Sequence, residues 1–156
     1  MSMAVAFSPL KNLLRVSPDG TLQGYIALWG TTEKRDCWNT WFDRDNPPDL
    51  GLDFLPIPLL YEHGMDPVVK KEAIGKVTSA WIDDNGVAFK ANLFKDSPHF
   101  GRVMSEIKTG KLATSSGTAD HLAEFDEENR FKDWRVVELS LTSEPCEYDM
   151  PMVKIS

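Results

Sequence analysis

The sequence predicts a mainly β protein: an antiparallel-rich β-barrel of roughly six to eight strands, with flanking helical segments and one principal helix at about 98–109, packed outside the barrel. Three observations lead there. Residues 73–94, AIGKVTSAWIDDNGVAFKANLF, hold two alternating runs around a tetrapeptide of hairpin chemistry, Asp83-Asp84-Asn85-Gly86. Residues 97–110 switch to helical spacing, with Phe100, Val103, Met104 and Ile107 at i, i+3, i+4 and i+7. Residues 111–119 and 131–142 then return to short runs that read as strands.

At 156 residues the chain is long enough to bury a core as one domain without metal or disulfide staples, and 1–156 is read as that domain with 1–20 as a lead-in. Hydrophobic residues at 42% and charged residues at 26% are globular proportions. A net charge of -7, with no run of Lys and Arg, argues against a nucleic-acid partner. The start, MSMAVAFSPLKNLLRV, has no positive region before its apolar stretch and is interrupted by Ser8 and Pro9. Neither a signal peptide nor a membrane span is expected from it, and the protein is read as cytosolic. In that compartment Cys37 and Cys146, far apart and outside any CxxC pattern, are expected to be free thiols. His63, His99 and His121 lack the spacing of a zinc site, so neither metal nor cofactor is expected.

Taken in order, the lead-in ends on Pro18-Asp19-Gly20, a turn whose glycine supplies a positive φ. Residues 22–31, LQGYIALWGT, follow as a strand, and 37–42 as an aromatic-rich extended piece in which Trp38, Trp41 and Phe42 are core or groove wall. Pro47, Pro48, Pro56 and Pro58 exclude helix and most ladder positions from 44–58, leaving a long loop that feeds the next strand. That strand, 57–63, puts Ile57, Leu59, Tyr61 and His63 on one face, so the histidine ends an apolar row. In the hairpin, Val77, Ser79 and Trp81 alternate against Thr78, Ala80 and Ile82. Ser97 as N-cap, Pro98 at the first helical position and Gly110 as a left-handed stop bound the helix. Residues 118–125 and 131–142 are strands joined by the polar loop 126–130, 143–145 is a turn, and 152–155 is a final strand. The expected core contains Val77, Trp81, Phe89, Leu93, Val103, Ile107, Leu139 and Leu141.

The residues able to do chemistry centre on 111–119, KLATSSGTA. If 112–117 is extended, Ala113, Ser115 and Gly117 share one face and Leu112, Thr114 and Ser116 the other, so only one serine faces a given cleft. A serine hydroxyl is a poor nucleophile until a base stands beside it and a third group orients that base. Glu138 lies mid-strand in VVELSLT, on the face of Val136, Ser140 and Thr142 and opposite Val137, Leu139 and Leu141. If that face is buried the carboxylate requires a partner; if it meets solvent it requires none.

The order of a strand ending in His63, a hairpin, a helix, a strand carrying Ser115, a hairpin with Glu138 and then Pro145 resembles the tailed-phage prohead protease family. These are capsid-maturation serine peptidases similar in fold to the herpesvirus assemblin protease. LLYEHG, IGKVTSAWIDDNGVAFKANLF, IKTGKLATSSGTA and the VELSLTSEP block carry the likeness, which spans about 22–155. The resemblance implies a serine endopeptidase without a cofactor, working in the host cytoplasm inside the procapsid. Its substrates would be scaffold or the scaffolding segment of the major capsid protein precursor, and itself; self-association is left open.

Carried over by residue, the resemblance makes His63 the general base, Ser115 the nucleophile and Glu138 the orienting group, with Gly117 leaving room for substrate to approach. The oxyanion-hole amides are not assigned. The chain departs from the family pattern in having Thr118 where an aromatic usually follows Ser-x-Gly, and Ser116 where a small or apolar residue is usual. Ser116 is thus an alternative nucleophile. His121 is an alternative third member, because a histidine fills that role in the herpesvirus relatives. The competing function class is a non-catalytic β-barrel protein of a phage particle, or a binding module, in which these are ordinary strand residues.

Overall fold

The computed structural model describes residues 15–48, 55–118, 123–146, 150 and 152–155. Its strands are β1 (Arg15–Val16), β2 (Thr21–Leu28), β3 (Ile57–Tyr61), β4 (Gly75–Ile82), β5 (Gly86–Leu93), β6 (Ala113–Gly117), β7 (Ala123–Phe125), β8 (Phe131–Trp134), β9 (Glu138–Thr142) and β10 (Lys154–Ile155). The α-helix α1 (Phe100–Lys108) lies between β5 and β6. Eight strands form one mixed sheet in the order β10-β1-β2-β5-β4-β3-β9-β6, while β7 and β8 pair as a small second sheet. The β1/β10 and β3/β9 ladders are parallel; the other ladders are antiparallel. The parallel β3/β9 pair matters most for function, because it brings the turn that follows β3 beside β9.

The large sheet curls strongly into a half-barrel. β2 and β6 are far apart in the strand order, yet Thr114 Oγ1 of β6 donates a 2.6 Å hydrogen bond to the Tyr25 carbonyl of β2. Inside the curl lie Leu22, Leu59, Tyr61, Val77, Phe89, Ala91, Leu139 and Leu141, all buried. The mainly β class and an antiparallel-rich sheet of this size agree with the sequence. The barrel itself is half-formed, and α1 does not stand outside it. Its Val103 and Ile107 are buried in the same core, and Tyr61 on the apolar face donates to Glu106 at 2.7 and 2.6 Å.

The C-terminal end of the helix is the one the sequence specifies, but the N-terminal end is not: α1 starts at Phe100 with His99 at its N-cap and no side-chain cap bond, so Ser97 and Pro98 lie in the turn before it. Ser97 Oγ accepts the N–H of His99 at 3.1 Å, and Gly110, at φ 72°, ends the helix. There the Gly110 N–H bonds Ile107 O and the Lys111 N–H bonds Glu106 O, which together satisfy two carbonyls that the helix leaves open.

The 83–86 turn is closed by Asp83, whose Oδ1 accepts the N–H groups of Asn85 and Gly86. The structure places Ser79 and Trp81 on the opposite face from Val77, not on the same one. Val77 pairs with Ala91 but Ser79 pairs with Lys90, so Thr78 is an extra residue bulged out of β4. One inserted residue exchanges the faces of everything after it. Trp81 consequently leaves the core and is 46% exposed, while the other seven expected core residues are buried.

Other expectations need correcting. Cys37 and Cys146 are not free thiols but form a disulfide, their Cα atoms 4.9 Å apart. The exit from β9 runs beside the 37–46 loop, where the Cys37 N–H also donates to Cys146 O at 2.8 Å, a proximity that linear spacing hides. Residues 37–42 are not a continuous strand. The Asp36 carboxylate accepts the N–H groups of Trp38 and Thr40 and folds the segment into a tight loop, exposing Trp38 and burying Phe42. The 131–142 run is interrupted at 135–137, between β8 and β9. Of the 118–125 run, β7 covers the last three residues, and 119–122 lie outside the described residues.

Candidate active site

The site lies where β3, β9 and β6 adjoin, on the face turned away from the half-barrel interior. In the β6/β9 ladder Ser115 stands opposite Ser140 and Gly117 opposite Glu138. Paired residues share a face, so Ser115, Gly117, Glu138 and Ser140 point the same way. Ser116 points the other way with Leu139. It is already engaged there: its Oγ accepts the Trp134 indole N–H at 3.2 Å, beside the Phe42, Phe131 and Trp134 ring cluster.

His63 reaches this face by leaving its strand. On a continued β3 it would have followed Ile57, Leu59 and Tyr61 inward, as the sequence suggests. Instead β3 stops at Tyr61 and 62–64 form a tight 3-10 turn, with Glu62 at φ 50° and His63 at φ 54°, ψ 27°. Left-handed backbone reverses the direction of the side chain, so the imidazole is carried across to β9. Its Nδ1 lies 2.6 Å from Glu138 Oε1. The His63 N–H donates to Ser140 Oγ at 3.1 Å, and Ser140 Oγ donates in turn to Glu138 Oε2 at 2.8 Å.

Both carboxylate oxygens of Glu138 are therefore partnered. Its side chain is only 14% exposed, so the buried alternative for this face is the one realised. The hydrogen bond that the His63 ring donates to Glu138 raises the His63 pKa above its ordinary value, and the charges of Glu138 and Glu62 add to that against the opposing effect of burial. With Nδ1 committed to Glu138, the neutral ring presents Nε2 as its proton acceptor.

Gly117 makes room for the Glu138 side chain. A Cβ built there would lie 1.9 Å from Glu138 Oε1 and 2.7 Å from its carboxyl carbon. The space left by the missing side chain is occupied by the Glu138 carboxylate. Glycine is thus a condition for the His63–Glu138 pair.

Of the residues expected in the site, His63 and Glu138 are in direct contact and Ser115 lies on the same face two strands from His63. Ser115 Oγ has no hydrogen-bond partner among the described residues, while Ser116 is turned away and His121 lies outside the described residues. Ser140 was missed. It was legible only as the second residue of Glu-x-Ser, which the strand period puts on the Glu138 face; its bond to the His63 backbone depends on the β3/β9 pairing. Among the described residues no cluster of three or more His, Cys, Asp or Glu is arranged to hold a metal, and no helix is long and apolar enough to cross a membrane. No family model, curated protein or solved structure matches the chain.

Proposed function

We propose that the chain is a serine endopeptidase in which Ser115 attacks the peptide carbonyl, His63 accepts and returns the proton, and Glu138 orients and charges against the imidazole. The observation that carries this reading is the 2.6 Å His63–Glu138 pair, built on the strand face that Ser115 shares. The chemistry follows from the pair. Glu138 holds Nδ1–H, so Nε2 is the basic nitrogen, and the imidazolium formed when Ser115 loses its proton is stabilised by the adjacent carboxylate. The imidazolium then gives that proton to the leaving amine as the C–N bond breaks, and water, deprotonated by His63, attacks the acyl-Ser115 ester, releasing the acid while His63 returns the proton to the Ser115 oxygen.

The biological setting, maturation of a tailed-phage procapsid by cutting scaffold or the scaffolding segment of the capsid precursor, rests on the sequence resemblance. The two parts are tested separately. A fluorophosphonate probe should label Ser115 in the folded protein, with labelling lost in S115A and H63A and retained in S116A. The double variant S115A/H63A should be no worse than either single one, because the residues act as one unit. Co-expression with a capsid precursor should then yield cleavage that S115A abolishes. Labelling at Ser116 would displace the nucleophile. No labelling at any serine would overturn the enzyme and leave the non-catalytic β protein of a particle.

A further inference from the structure

Three consecutive residues, Glu62, His63 and Gly64, have φ of 50°, 54° and 78°. For the two that carry a Cβ this conformation is strained, because the Cβ crowds the following carbonyl oxygen. Such backbone persists only where its surroundings hold it, and it is concentrated at functional sites. The holding contacts at Glu62 come from the far end of β9. Glu62 Oε1 accepts the Ser143 N–H at 2.8 Å and Oε2 accepts the Ser143 hydroxyl at 2.9 Å.

The two strands run parallel with Tyr61 beside Leu141, so Ser143 is where the ladder would continue had β3 not turned away. The Glu62 carboxylate takes the place of that missing ladder bond. β9 and its exit therefore hold the histidine turn in three ways: Glu138 on the ring, Ser140 on the His63 N–H, and Ser143 on the residue before it. On the other side of the turn Gly64 packs against the Lys71 side chain, where a Cβ would come within 2.9 Å of Cγ.

Resting on the protease reading, we infer that Glu62 and Ser143 form a clamp that positions the general base: Glu62 is a positioning residue that keeps His63 in its left-handed turn and its Nδ1 on Glu138. Neither touches the reacting atoms. The pair works because a carboxylate grips two donors of one residue and so fixes direction as well as distance.

The test uses the whole chain, with the rate of fluorophosphonate labelling at Ser115 and the His63 Nδ1–H signal in a proton NMR spectrum as its readouts. In E62A, at temperatures well below its melting midpoint, labelling should fall about ten- to a hundredfold, the scale of a misplacement near 1 Å. The low-field Nδ1–H signal should be lost with it. E62Q keeps an acceptor for the Ser143 N–H and should recover most of the rate. Because it removes one of the two carboxylate charges that raise the His63 pKa and leaves Glu138, its acid limb should also move to lower pH.

If E62A does not fold, E62D, one methylene short of Ser143, is read in the same way. A folded E62A or E62D with the wild-type labelling rate and an intact Nδ1–H signal overturns the clamp. A wild-type protein that is not labelled, yet loses the His63 signal in E62A, keeps the clamp and rejects the protease. Labelling that is lost in E62A and not recovered in E62Q, with the signal intact, also rejects the clamp.

Discussion

Adding a single methyl group at Gly117 should disable the site without touching any of its functional groups. The Cβ of G117A would lie 1.9 Å from Glu138 Oε1, 2.7 Å from Cδ and 3.1 Å from Cγ. Carbon and oxygen do not approach within about 3 Å without bonding, so Oε1 has to retreat by about 1 Å or more. The Glu138 backbone is held between β3 and β6, which leaves rotation of its side chain as the way out. Rotation breaks the 2.6 Å contact with His63 Nδ1 and the 2.8 Å bond from Ser140. A displacement of about 1 Å in an orienting group is worth roughly a hundredfold in rate, or about 3 kcal/mol of transition-state stabilisation. Gly117 is not among the residues with positive φ, so backbone strain does not contribute. Stability should fall by about 1–2 kcal/mol, the loss of a charge-assisted hydrogen bond partly offset by the reduced freedom of the unfolded chain. The assay is the rate of fluorophosphonate labelling at Ser115, with thermal melts alongside. The same substitution in an E138A background should cost almost nothing further, because the group it displaces is gone. A folded G117A with the wild-type labelling rate, or an equal loss in the E138A background, would refute the reasoning.

Four further outcomes follow. The His63 pKa is raised in the fold, so the stability that its protonated pair with Glu138 contributes is fully present below the ordinary histidine value of about 6.5 and is lost as pH rises through the raised value; melts from pH 6 to 9 should show wild type losing this margin relative to E138Q, and equal pH slopes would contradict it. For the same reason labelling at Ser115 should rise with pH through a midpoint above about 6.5, and E138Q should lower both that midpoint and the plateau. Phe89→Ala, at a fully buried position, should cost about 3–5 kcal/mol in denaturant titrations, whereas Trp81→Ala, on the exposed face beyond the bulge, should stay within about 1 kcal/mol; comparable losses would mean that the bulge is misplaced. Breaking Cys37–Cys146, which spans 109 residues, should cost about 4–5 kcal/mol in the chain-entropy picture, seen as a drop in melting midpoint on adding reductant that C37S/C146S no longer shows.

Local information was sufficient for much of this molecule. Gly110 ends α1 because a left-handed stop is satisfied within a few residues, and Asp83 to Gly86 closes a turn by its own side-chain bonds. Strand period alone separated Ser115 from Ser116 and put Glu138 with Ser140, since that alternation is a property of extended backbone wherever it occurs. Tertiary structure decided the rest, and in each case the reason is a contact between distant segments. The bulge at Thr78 arises from pairing with β5 and sends Trp81 outward. The disulfide joins residues that only the exit of β9 brings together. His63 reaches Glu138 because three left-handed residues turn it off an apolar row, a conformation no local preference would choose, held by Ser140 and Ser143 from a strand more than 70 residues away. Pattern can place a residue on a face, but a strained turn is paid for by the partners that hold it, and these become neighbours only when the sheet has formed.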